Sequence, residues 1–587
     1  MARATDSSEP VRGVLGGGTA LRLALLVIAA FALRAVLLWL RGDFLDYDEA
    51  MYLLLARNLG EGAGFTLNGM PHSALGPMVP AATAALARLC GLELLTAQRA
   101  LAALCGALTL IPVWYLLRLY AGDRVVWIAV SLLAVWPALI DVAPRYDSMW
   151  LDKYAGTEPT FLLFLFASLA IGEAALKRRG WPALLLAALA GAALALAYMT
   201  RAEAVVFGGL YAAVRAVQLL RESGGRRGVV VAAAAAALGF LAVAAPQFVH
   251  LRRATGAWTI SGQPAVMRPA AATLQELFRD RQYRLQFGHT WYRLNAGHSY
   301  LTNPYWGTPE GVSRELQERH YAAVAADEAP VSRALPARVW NRLVNYAYML
   351  WTVCGVVFLP FALIGIVTAR RRGLPAFVLA GLAASLVTGV YLAVLPRFFL
   401  YLVPVFALWA AYGIVTVAGW LERFRRVPTG IIVAVLAGVS LLSVGSVALG
   451  GTARVLASVG GEDRSVAEQL GDALPAGEPV MHWHPKFAYW GGWDWRTMPL
   501  AELDDMAHYA ALIDLTYILL ARGGYTPVRA EVPFLLIVVD SELARALRSA
   551  SVSESGPHSH PPMALSPAGT LAGQPVASLE LADGRLE

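Results

Sequence analysis

The residues best suited to chemistry follow the first long apolar segment, in the stretch Asp46-Tyr47-Asp48-Glu49-Ala50-Met51-Tyr52. Adjacent carboxylates at Asp48 and Glu49, placed where a lipid headgroup would sit, could remove a proton from an acceptor hydroxyl as it attacks an activated sugar carbon. Asp48 can equally cap the helix that begins here, along the membrane surface, with apolar residues every three to four positions. The two carboxylates therefore have a catalytic interpretation and a structural one, in which they serve the cap and the helix dipole.

Three further ionisable motifs lie at the ends of apolar segments. Glu158, in Gly156-Thr157-Glu158-Pro159, would face the same headgroup layer as Asp48. Arg201 and Glu203 lie between two apolar segments, and ionisable residues at a membrane site are candidates for function. Arg397, at the outer end of a span, could hold a phosphate by bidentate hydrogen bonds. Each motif also has a structural interpretation: a capping Glu158, an Arg201–Glu203 pair that packs helices, and an Arg397 that snorkels to the interface.

The elements that must position these residues are membrane helices. Of the 587 residues, 57% are hydrophobic and 15% are charged, whereas a soluble chain has about 45–50% apolar and about 25% charged residues. The apolar residues collect in segments of about 20, the length that crosses a bilayer. Soluble enzymes, disordered chains and fibrous proteins are excluded. We predict eleven spans, at residues 21–40, 98–119, 124–141, 157–175, 181–199, 203–220, 228–248, 344–368, 374–395, 398–419 and 429–450.

The charge distribution predicts the orientation of these spans. The net charge is +7, but residues from 451 onward hold 9 basic and 17 acidic residues. The basic surplus lies in short clusters between spans, such as Lys177 to Arg179 and Arg370 to Arg372. Basic loops stay on the cytoplasmic side, so the N-terminus is predicted to lie inside. The basicity is a topology signal and does not indicate a nucleic-acid partner. The apolar segment 77–91 is short, and we place it at the outer membrane surface.

This topology predicts four regions. Residues 1–20 form a cytoplasmic segment, and residues 21–450 form an all-α polytopic membrane domain with outer loops at 41–97, 142–156 and 249–343. Residues 451–550 form a periplasmic α/β domain, with strands expected at 478–483, 515–520 and 534–540 and helices at 500–511 and 541–549. Residues 551–587 form a tail, for which Ser, Pro, Gly and His predict disorder.

The remaining motifs do not predict a disulfide framework, a metal site or a nucleotide-binding site. Three cysteines without CxxC spacing predict neither a disulfide framework nor a zinc site. His482 and His484 suggest a metal pair, but the absence of an acidic or Cys partner nearby favours a strand end. No P-loop or dinucleotide fingerprint occurs in a suitable setting. We therefore predict no metal site and no cofactor, with a divalent metal as the alternative.

The motifs together resemble the GT-C glycosyltransferases, and in particular the bacterial branch related to protein O-mannosyltransferases and the aminoarabinose transferase of lipid A. The resemblance rests on Asp48-Glu49-x-x-Tyr52 followed by Ala56-Arg57-Asn58-Leu59, on Thr157-Glu158-Pro159, on Thr200 to Glu203, and on Pro396-Arg397. These segments span residues 20–420 and occur in the family's order. Two positions depart from its pattern, Ala202 for Pro and Phe398 for Tyr. The family's Lys-Pro-Pro is absent from the first loop, where His72 and Pro77 lie instead.

The resemblance implies a polyprenyl-phosphate-linked sugar as donor and transfer at the outer face of a bacterial inner membrane. It implies Asp48 as general base, with Glu49 and Glu158 as further catalytic carboxylates. It implies Tyr52, Arg145, Arg201, Glu203 and Arg397 as substrate-binding residues, the arginines 201 and 397 near the donor phosphate. The acceptor would be a hydroxyl of a cell-envelope glycan, lipid or protein.

Two other classes of function stay open at the level of sequence. A transporter or lipid flippase could use the same charges as a pathway through the bilayer. The absence of matching pairs of broken helices and the position of the charges at one face count against it. A non-catalytic carbohydrate-binding membrane protein could keep the same scaffold.

Overall fold

The fold is described from a computed structural model of the chain. It describes residues 17–40, 45, 47–67, 70–73, 75–136, 139, 157–223, 226–255, 258–261, 357–369, 396–425, 428–442, 464, 467–468, 471, 474, 477–482, 485–497, 517–521, 534–538, 580–581 and 584–585. The helices are α1 (Gly17–Leu40), α2 (Tyr47–Gly60), α3 (Met78–Cys90), α4 (Leu94–Leu108), α5 (Leu110–Leu117), α6 (Asp123–Ala134), α7 (Thr157–Leu176), α8 (Trp181–Thr200), α9 (Glu203–Ser223), α10 (Arg226–Thr255), α11 (Leu359–Thr368), α12 (Val403–Arg425), α13 (Thr429–Leu442) and α14 (Pro485–Gly491), with a 3₁₀ helix at Pro396–Leu402. The strands are β1 (Thr66–Leu67), β2 (Met70–Pro71), β3 (Pro479–His482), β4 (Asp494–Thr497), β5 (Tyr517–Ala521), β6 (Phe534–Val538), β7 (Glu580–Leu581) and β8 (Gly584–Arg585).

Six helical segments among the described residues are long and apolar enough to cross a bilayer. They are Gly17–Trp39, Leu94–Leu117, Thr157–Leu176, Trp181–Thr200, Gly228–Ala254 and Phe399–Glu422. Each coincides with one of the eleven predicted spans, so the chain is a multi-pass membrane protein. Helices α11 and α13 are shorter apolar helices within two further predicted spans. The predicted span 203–220 is the helix α9, which carries Arg215 and Glu203 and falls outside the six. The predicted span 374–395 lies outside the described residues.

Helix α3 is the segment that we predicted to lie at the membrane surface. It has 13 residues, about 20 Å of helix at 1.5 Å per residue, whereas a bilayer core is about 30 Å thick. It ends at Gly91, which has a left-handed φ of 65° and donates its N–H to the carbonyl of Ala87. The helix is therefore too short for a perpendicular span, and its position at the surface stays a prediction.

Small residues allow the long helices to touch backbone to backbone. A Cβ atom added to Gly191 of α8 would lie 1.8 Å from the carbonyl oxygen of Ala236 in α10. A Cβ atom added to Gly239 of α10 would lie 2.0 Å from the carbonyl oxygen of Ala188. Close packing at small residues is the usual way in which helices associate in a bilayer, where apolar burial gives no driving force.

Strands β3 to β6 form one mixed sheet in the order β4-β3-β5-β6. Strands β3 and β4 are parallel, as are β3 and β5, and β6 is antiparallel to β5. Three of these strands were predicted; β4 and the short helix α14 were not. The sheet and α14 give the C-terminal domain its predicted α/β character. The predicted helices 500–511 and 541–549 lie outside the described residues.

Candidate functional site

Helix α2, which carries Asp48 and Glu49 in its first turn, is enclosed by other parts of the protein. Every residue from Asp48 to Ala56 is buried. We predicted a helix lying along the membrane surface with one apolar stripe. The run Met51 to Ala56 instead places apolar or aromatic side chains all round the helix, and such a helix is stable only when it is covered on all sides.

Three groups of contacts cover α2. Tyr52 packs against Val79 of α3 and against Leu75. On another side, Ala50 and Leu53 pack against Leu95 of α4. The remaining apolar residues, Met51, Leu54 and Leu55, join a cluster with the C-terminal domain, which contains Ala467, Val480, Phe487, Ala488, Trp493 and Trp495. The helix with the candidate general base therefore lies between the membrane domain and the C-terminal sheet.

The two adjacent carboxylates of α2 have different surroundings. Glu49 is 2% exposed, and its carboxylate lies 3.4 Å from the guanidinium of Arg99 on α4. Asp48 retains more exposure, at 9%. Glu49 therefore faces a helix of the membrane domain.

Glu158 lies in the first turn of α7, where its charge complements the positive end of the helix dipole. It is 1% exposed, and one carboxylate oxygen accepts a hydrogen bond of 2.7 Å from the hydroxyl of Thr157. The other oxygen accepts a hydrogen bond of 2.6 Å from Nη1 of Arg201. The predicted Glu158 is thus a buried carboxylate held by two donors.

Arg201 joins two carboxylates at the turn between α8 and α9. Its Nε lies 2.5 Å from Glu203, in addition to the bond to Glu158. Burial acts to lower the pKa of Arg201, but the carboxylates of Glu203 and Glu158 outweigh it, and the pKa lies above its ordinary value. Arg201 therefore holds Glu158 and Glu203 together, and its predicted role at the donor phosphate stays a prediction.

Tyr52 connects α2 with this carboxylate cluster. Its phenol is close enough to Arg201 to interact with it electrostatically. Asp48 precedes Tyr52 by four residues, so the two side chains lie on the same side of α2. Three of the predicted motifs, from distant parts of the sequence, therefore meet at Tyr52, Glu158, Arg201 and Glu203, and Asp48 lies one turn before Tyr52 on α2.

Gly76 in the first outer loop lets that loop contact the end of α8, next to Arg201. A Cβ atom on Gly76 would lie 2.1 Å from the carbonyl oxygen of Met199 and 2.6 Å from that of Thr200. Only a residue without a side chain fits against the last turn of α8. The close approach places the loop after α2 beside Arg201.

A small cavity borders Glu158 on its membrane side. Its volume is about 20 Å³, room for one water molecule. It is lined by Arg34, Glu158 and mostly apolar side chains, which include Leu400 at the end of the 3₁₀ helix and Pro404. The segment that contains Arg397 is therefore next to Glu158, although the side chain of Arg397 lies outside the described residues. Arg145 also lies outside them.

Sequence reasoning missed Arg34 of α1. The guanidinium donates 3.2 Å and 3.1 Å hydrogen bonds to the carbonyls of Ala134 and Ala30. Gly106 of α4 makes room for it, since a Cβ there would lie 2.9 Å from Nε of Arg34. The sequence did contain a signal for Arg34, because an arginine inside an apolar span must be bound by polar groups of the protein. Its bonds to the C-terminal carbonyl of α6 give it a structural role beside the site.

His72, found in place of the family's Lys-Pro-Pro, is fully buried. Its Nε2 accepts a 2.9 Å hydrogen bond from the N–H of Leu75. Its carbonyl oxygen lies 2.6 Å from Nε2 of His250 in α10. Burial, aided by the neighbouring His250, lowers the pKa of His72 from 6.5 to about 3. A neutral His72 therefore fixes the loop after α2 and does not supply the positive charge of a lysine.

Within the described part of the chain, no group of three or more His, Cys, Asp or Glu side chains is arranged to hold a metal ion. His482 is buried at the end of β3, and its ring lies edge-on to Phe487 at 4.5 Å between centroids. The side chain of His484 lies outside the described residues.

Comparison with known proteins gives similarity to solved structures of membrane proteins. The oligosaccharyltransferase of Archaeoglobus fulgidus, in a complex with Zn and sulfate, aligns with a TM-score of 0.50 at 13% sequence identity, over 85% of this chain and 67% of that chain. Two structures of ArnT from Cupriavidus metallidurans, one bound to undecaprenyl phosphate and one in the apo state, align with TM-scores of 0.48 and 0.47 at 15% identity, over 84% of this chain and 88% of that chain. No family model and no curated protein sequence matches the chain.

The fold predicted from the sequence motifs is thus confirmed. The apolar helices, the order of the motifs and the alignment over most of the chain agree with one architecture. This chain is a multi-pass membrane protein with the GT-C fold.

Proposed function

We propose that the protein is a membrane glycosyltransferase that moves a sugar from a polyprenyl-phosphate carrier to a hydroxyl acceptor, with inversion at the anomeric carbon. The acceptor is a glycan, lipid or protein of the cell envelope. The reaction takes place at the periplasmic face of a bacterial inner membrane, and the proposal includes no cofactor.

The observation that carries the proposal is the meeting of motifs that are far apart in the sequence. Helix α2 brings Tyr52 to Arg201, which binds Glu158 and Glu203, and Asp48 lies one turn before Tyr52 on the same side of this helix. The 3₁₀ helix of Arg397 borders the same carboxylate through Leu400. The GT-C resemblance predicts a joint role for these motifs, and they converge at the ends of apolar helices, where a lipid-linked donor would present its sugar.

In the proposed reaction, Asp48 is the general base. The oxygen of the acceptor hydroxyl attacks the anomeric carbon while the bond from that carbon to the phosphate oxygen breaks. The polyprenyl phosphate leaves with the bonding electrons, and the hydroxyl proton passes to Asp48. The products are the glycosylated acceptor and the polyprenyl phosphate. General-base catalysis of this kind contributes about 10²–10⁴-fold to a rate.

The other predicted residues support this step. Glu49, paired with Arg99, fixes the first turn of α2. Glu158 and Glu203 form the acidic wall of the site and are held in place by Arg201. Negative charge develops on the departing phosphate, so a cation must face it. We keep Arg397 and Arg145 as candidates for that role.

A lipid-linked donor fits the position of the site better than a nucleotide sugar. The basic clusters between spans predict that the N-terminus lies inside and that the end of α1, next to α2, lies outside. Nucleotide sugars would then lie on the wrong side of the membrane for Asp48, and the sequence has no nucleotide motif in a suitable setting.

The test is Asp48→Asn, assayed in membranes with a radiolabelled polyprenyl-phosphate sugar and an envelope extract as acceptor. We expect transfer to fall by about 10²–10⁴-fold, because the amide cannot accept the proton. The matched control is Asp123→Asn, whose carboxylate is 67% exposed and pairs with Arg118 at a turn between helices. Transfer at a near-normal rate by Asp48→Asn would show that Asp48 is not the base.

The same assay separates the enzyme from a transporter or flippase. Only an enzyme consumes the donor and releases free polyprenyl phosphate, whereas a flippase moves the intact lipid across the bilayer. Movement of intact donor, with no release of polyprenyl phosphate by the wild-type protein for any sugar supplied, would overturn the proposed function.

A further inference from the structure

The C-terminal half of α2 is bound to the C-terminal domain through Arg57. Its Nη2 donates a 2.6 Å hydrogen bond to the carbonyl of Trp493, and its Nη1 donates a longer one, 3.4 Å, to the carbonyl of Ala488. The carbonyl of Ala488 also accepts the N–H of Trp493, where α14 turns into β4. A cation at the C-terminal end of a helix satisfies carbonyls that have no partner within the helix.

Electrostatics around Arg57 support a fixed guanidinium. Burial lowers the pKa of Arg57 from its ordinary value, while Glu61, Asp494 and Tyr489 favour the charged form. A partly buried charge of this kind is costly to leave without hydrogen-bond partners. The hydrogen bonds to the C-terminal domain therefore stabilise the partly buried guanidinium of Arg57.

The position of Arg57 on α2 is opposite to that of Asp48. The two residues are nine positions apart, and at about 100° per residue this places them about 180° apart around the helix axis. Asp48 shares its side with Tyr52, which interacts with Arg201, whereas Arg57 faces the C-terminal domain. A short α-helix is stiff, so a displacement at Arg57 is carried to Asp48.

Apolar contacts extend the same interface. Met51, Leu54 and Leu55 pack in one cluster with Val480 and Trp495 of the sheet. Tyr489 and Trp490 of α14 reach the cluster around Ala50 and Leu53. The C-terminal domain thus covers α2 along most of its length, and Arg57 is its polar connection.

We propose that the C-terminal domain clamps the helix that carries Asp48, and that Arg57 is the positioning residue through which the clamp acts. The proposal rests on the proposed function. Arg57 contacts neither donor nor acceptor in it, and acts by keeping α2 at the distance from the Arg201 cluster that the reaction needs. A misplacement of about 1 Å at a reacting group can cost about 100-fold in rate.

If Arg57 is a positioning residue, its replacement should change kcat and leave KM unchanged. Arg57→Ala is expected to lower kcat about tenfold to a hundredfold and to leave the KM for the donor unchanged, because the predicted phosphate-binding residues lie on other elements. Arg57→Lys, which can still donate to one carbonyl, should recover part of the loss. The matched control is Arg496→Ala. Arg496 lies in the C-terminal domain, where it pairs with Asp494 within β4, and its loss should leave kcat unchanged.

The experiment uses the full-length protein in lipid nanodiscs and measures amide hydrogen exchange of residues 50–56 beside transfer kinetics. Exchange should rise about tenfold to a hundredfold in Arg57→Ala, since loss of a charge-assisted hydrogen bond loosens the helix. Arg496→Ala should leave the exchange of this segment unchanged.

The outcomes separate this inference from the proposed function. If the wild-type protein transfers sugar and Arg57→Ala keeps a normal kcat, or changes only KM, the positioning role is wrong and the proposed function stands. If the wild-type protein transfers no sugar, the proposed function fails and the clamp is judged by exchange alone. Unchanged exchange of residues 50–56 in Arg57→Ala would then overturn the clamp as well.

Discussion

Replacement of Arg201 by methionine removes the cation that pairs with the buried carboxylate of Glu158 and the partly buried carboxylate of Glu203. The exposed fractions of the side chains are 12% for Arg201, 2% for Glu158 and 13% for Glu203. Removing one partner of a buried ion pair costs about 3–5 kcal/mol, because it leaves an uncompensated buried charge. Arg201→Met is expected to reach this range, since it leaves two like charges close together.

Glu158→Gln is expected to lower the free energy of unfolding by less than Arg201→Met does. Arg201 keeps its bond to Glu203, so the loss is that of one charge-assisted hydrogen bond, about 1.5–3 kcal/mol. In the double variant only Glu203 remains charged. We therefore expect Arg201→Met with Glu158→Gln to be more stable than Arg201→Met alone, a non-additivity that a double-mutant cycle detects.

The assay is thermal and denaturant unfolding of the purified variants in nanodiscs. Arg118→Met is the matched control, because Arg118 lies 3.1 Å from Asp123 in a pair with exposed fractions of 35% and 67%. Such exposed pairs contribute about 0–1 kcal/mol. The reasoning is refuted if Arg201→Met is no less stable than Arg118→Met, or if adding Glu158→Gln lowers its stability further.

Two more predictions concern the loop after α2. Because the pKa of His72 is lowered in the folded state from 6.5 to about 3, the unfolded chain binds more protons below pH 6.5, and stability must fall as the pH falls from about 6.5 towards 3. The contribution of His72 approaches about 1.4 kcal/mol per pH unit; unfolding midpoints from pH 7 to 5 should show a steeper loss for the wild-type protein than for His72→Gln, and equal slopes would contradict this. Gly76→Ala places a methyl group against the backbone carbonyls of Met199 and Thr200, so the loop must move away from Arg201. Transfer activity should fall at least tenfold. The control is Gly62→Ala in the open turn before β1, which should change the stability of the protein without this loss of activity.

Much of the membrane architecture could be predicted because its signals are local. An apolar segment of about 20 residues must cross the bilayer whatever surrounds it, and six such segments are helices in the structure. Asp48, Glu158 and Arg201 could be singled out for the same reason, since each interrupts or borders such a segment. Three of the four strands of the C-terminal sheet, β3, β5 and β6, also carried their own apolar signal.

Their partners could not be predicted, because pairing depends on how the helices pack. Nothing in the sequence connects Glu158 with Arg201, which lie 43 residues apart, or Glu49 with Arg99. The same limit applies to α2: a continuous apolar run such as Met51 to Ala56 fits a membrane surface as well as a protein interior, and its all-round burial follows from the packing of α3, α4 and the C-terminal domain against it.

The contacts of α2 with the C-terminal domain also have a consequence for biosynthesis. Arg57 bonds to residues 431 and 436 positions later in the chain. At about 5–20 residues per second, α2 is made roughly 20–90 s before its partners exist. During this interval Met51, Leu54 and Leu55 have no cover from the sheet. The nascent chain must therefore hold this apolar helix without these contacts until residues 467–495 have been made.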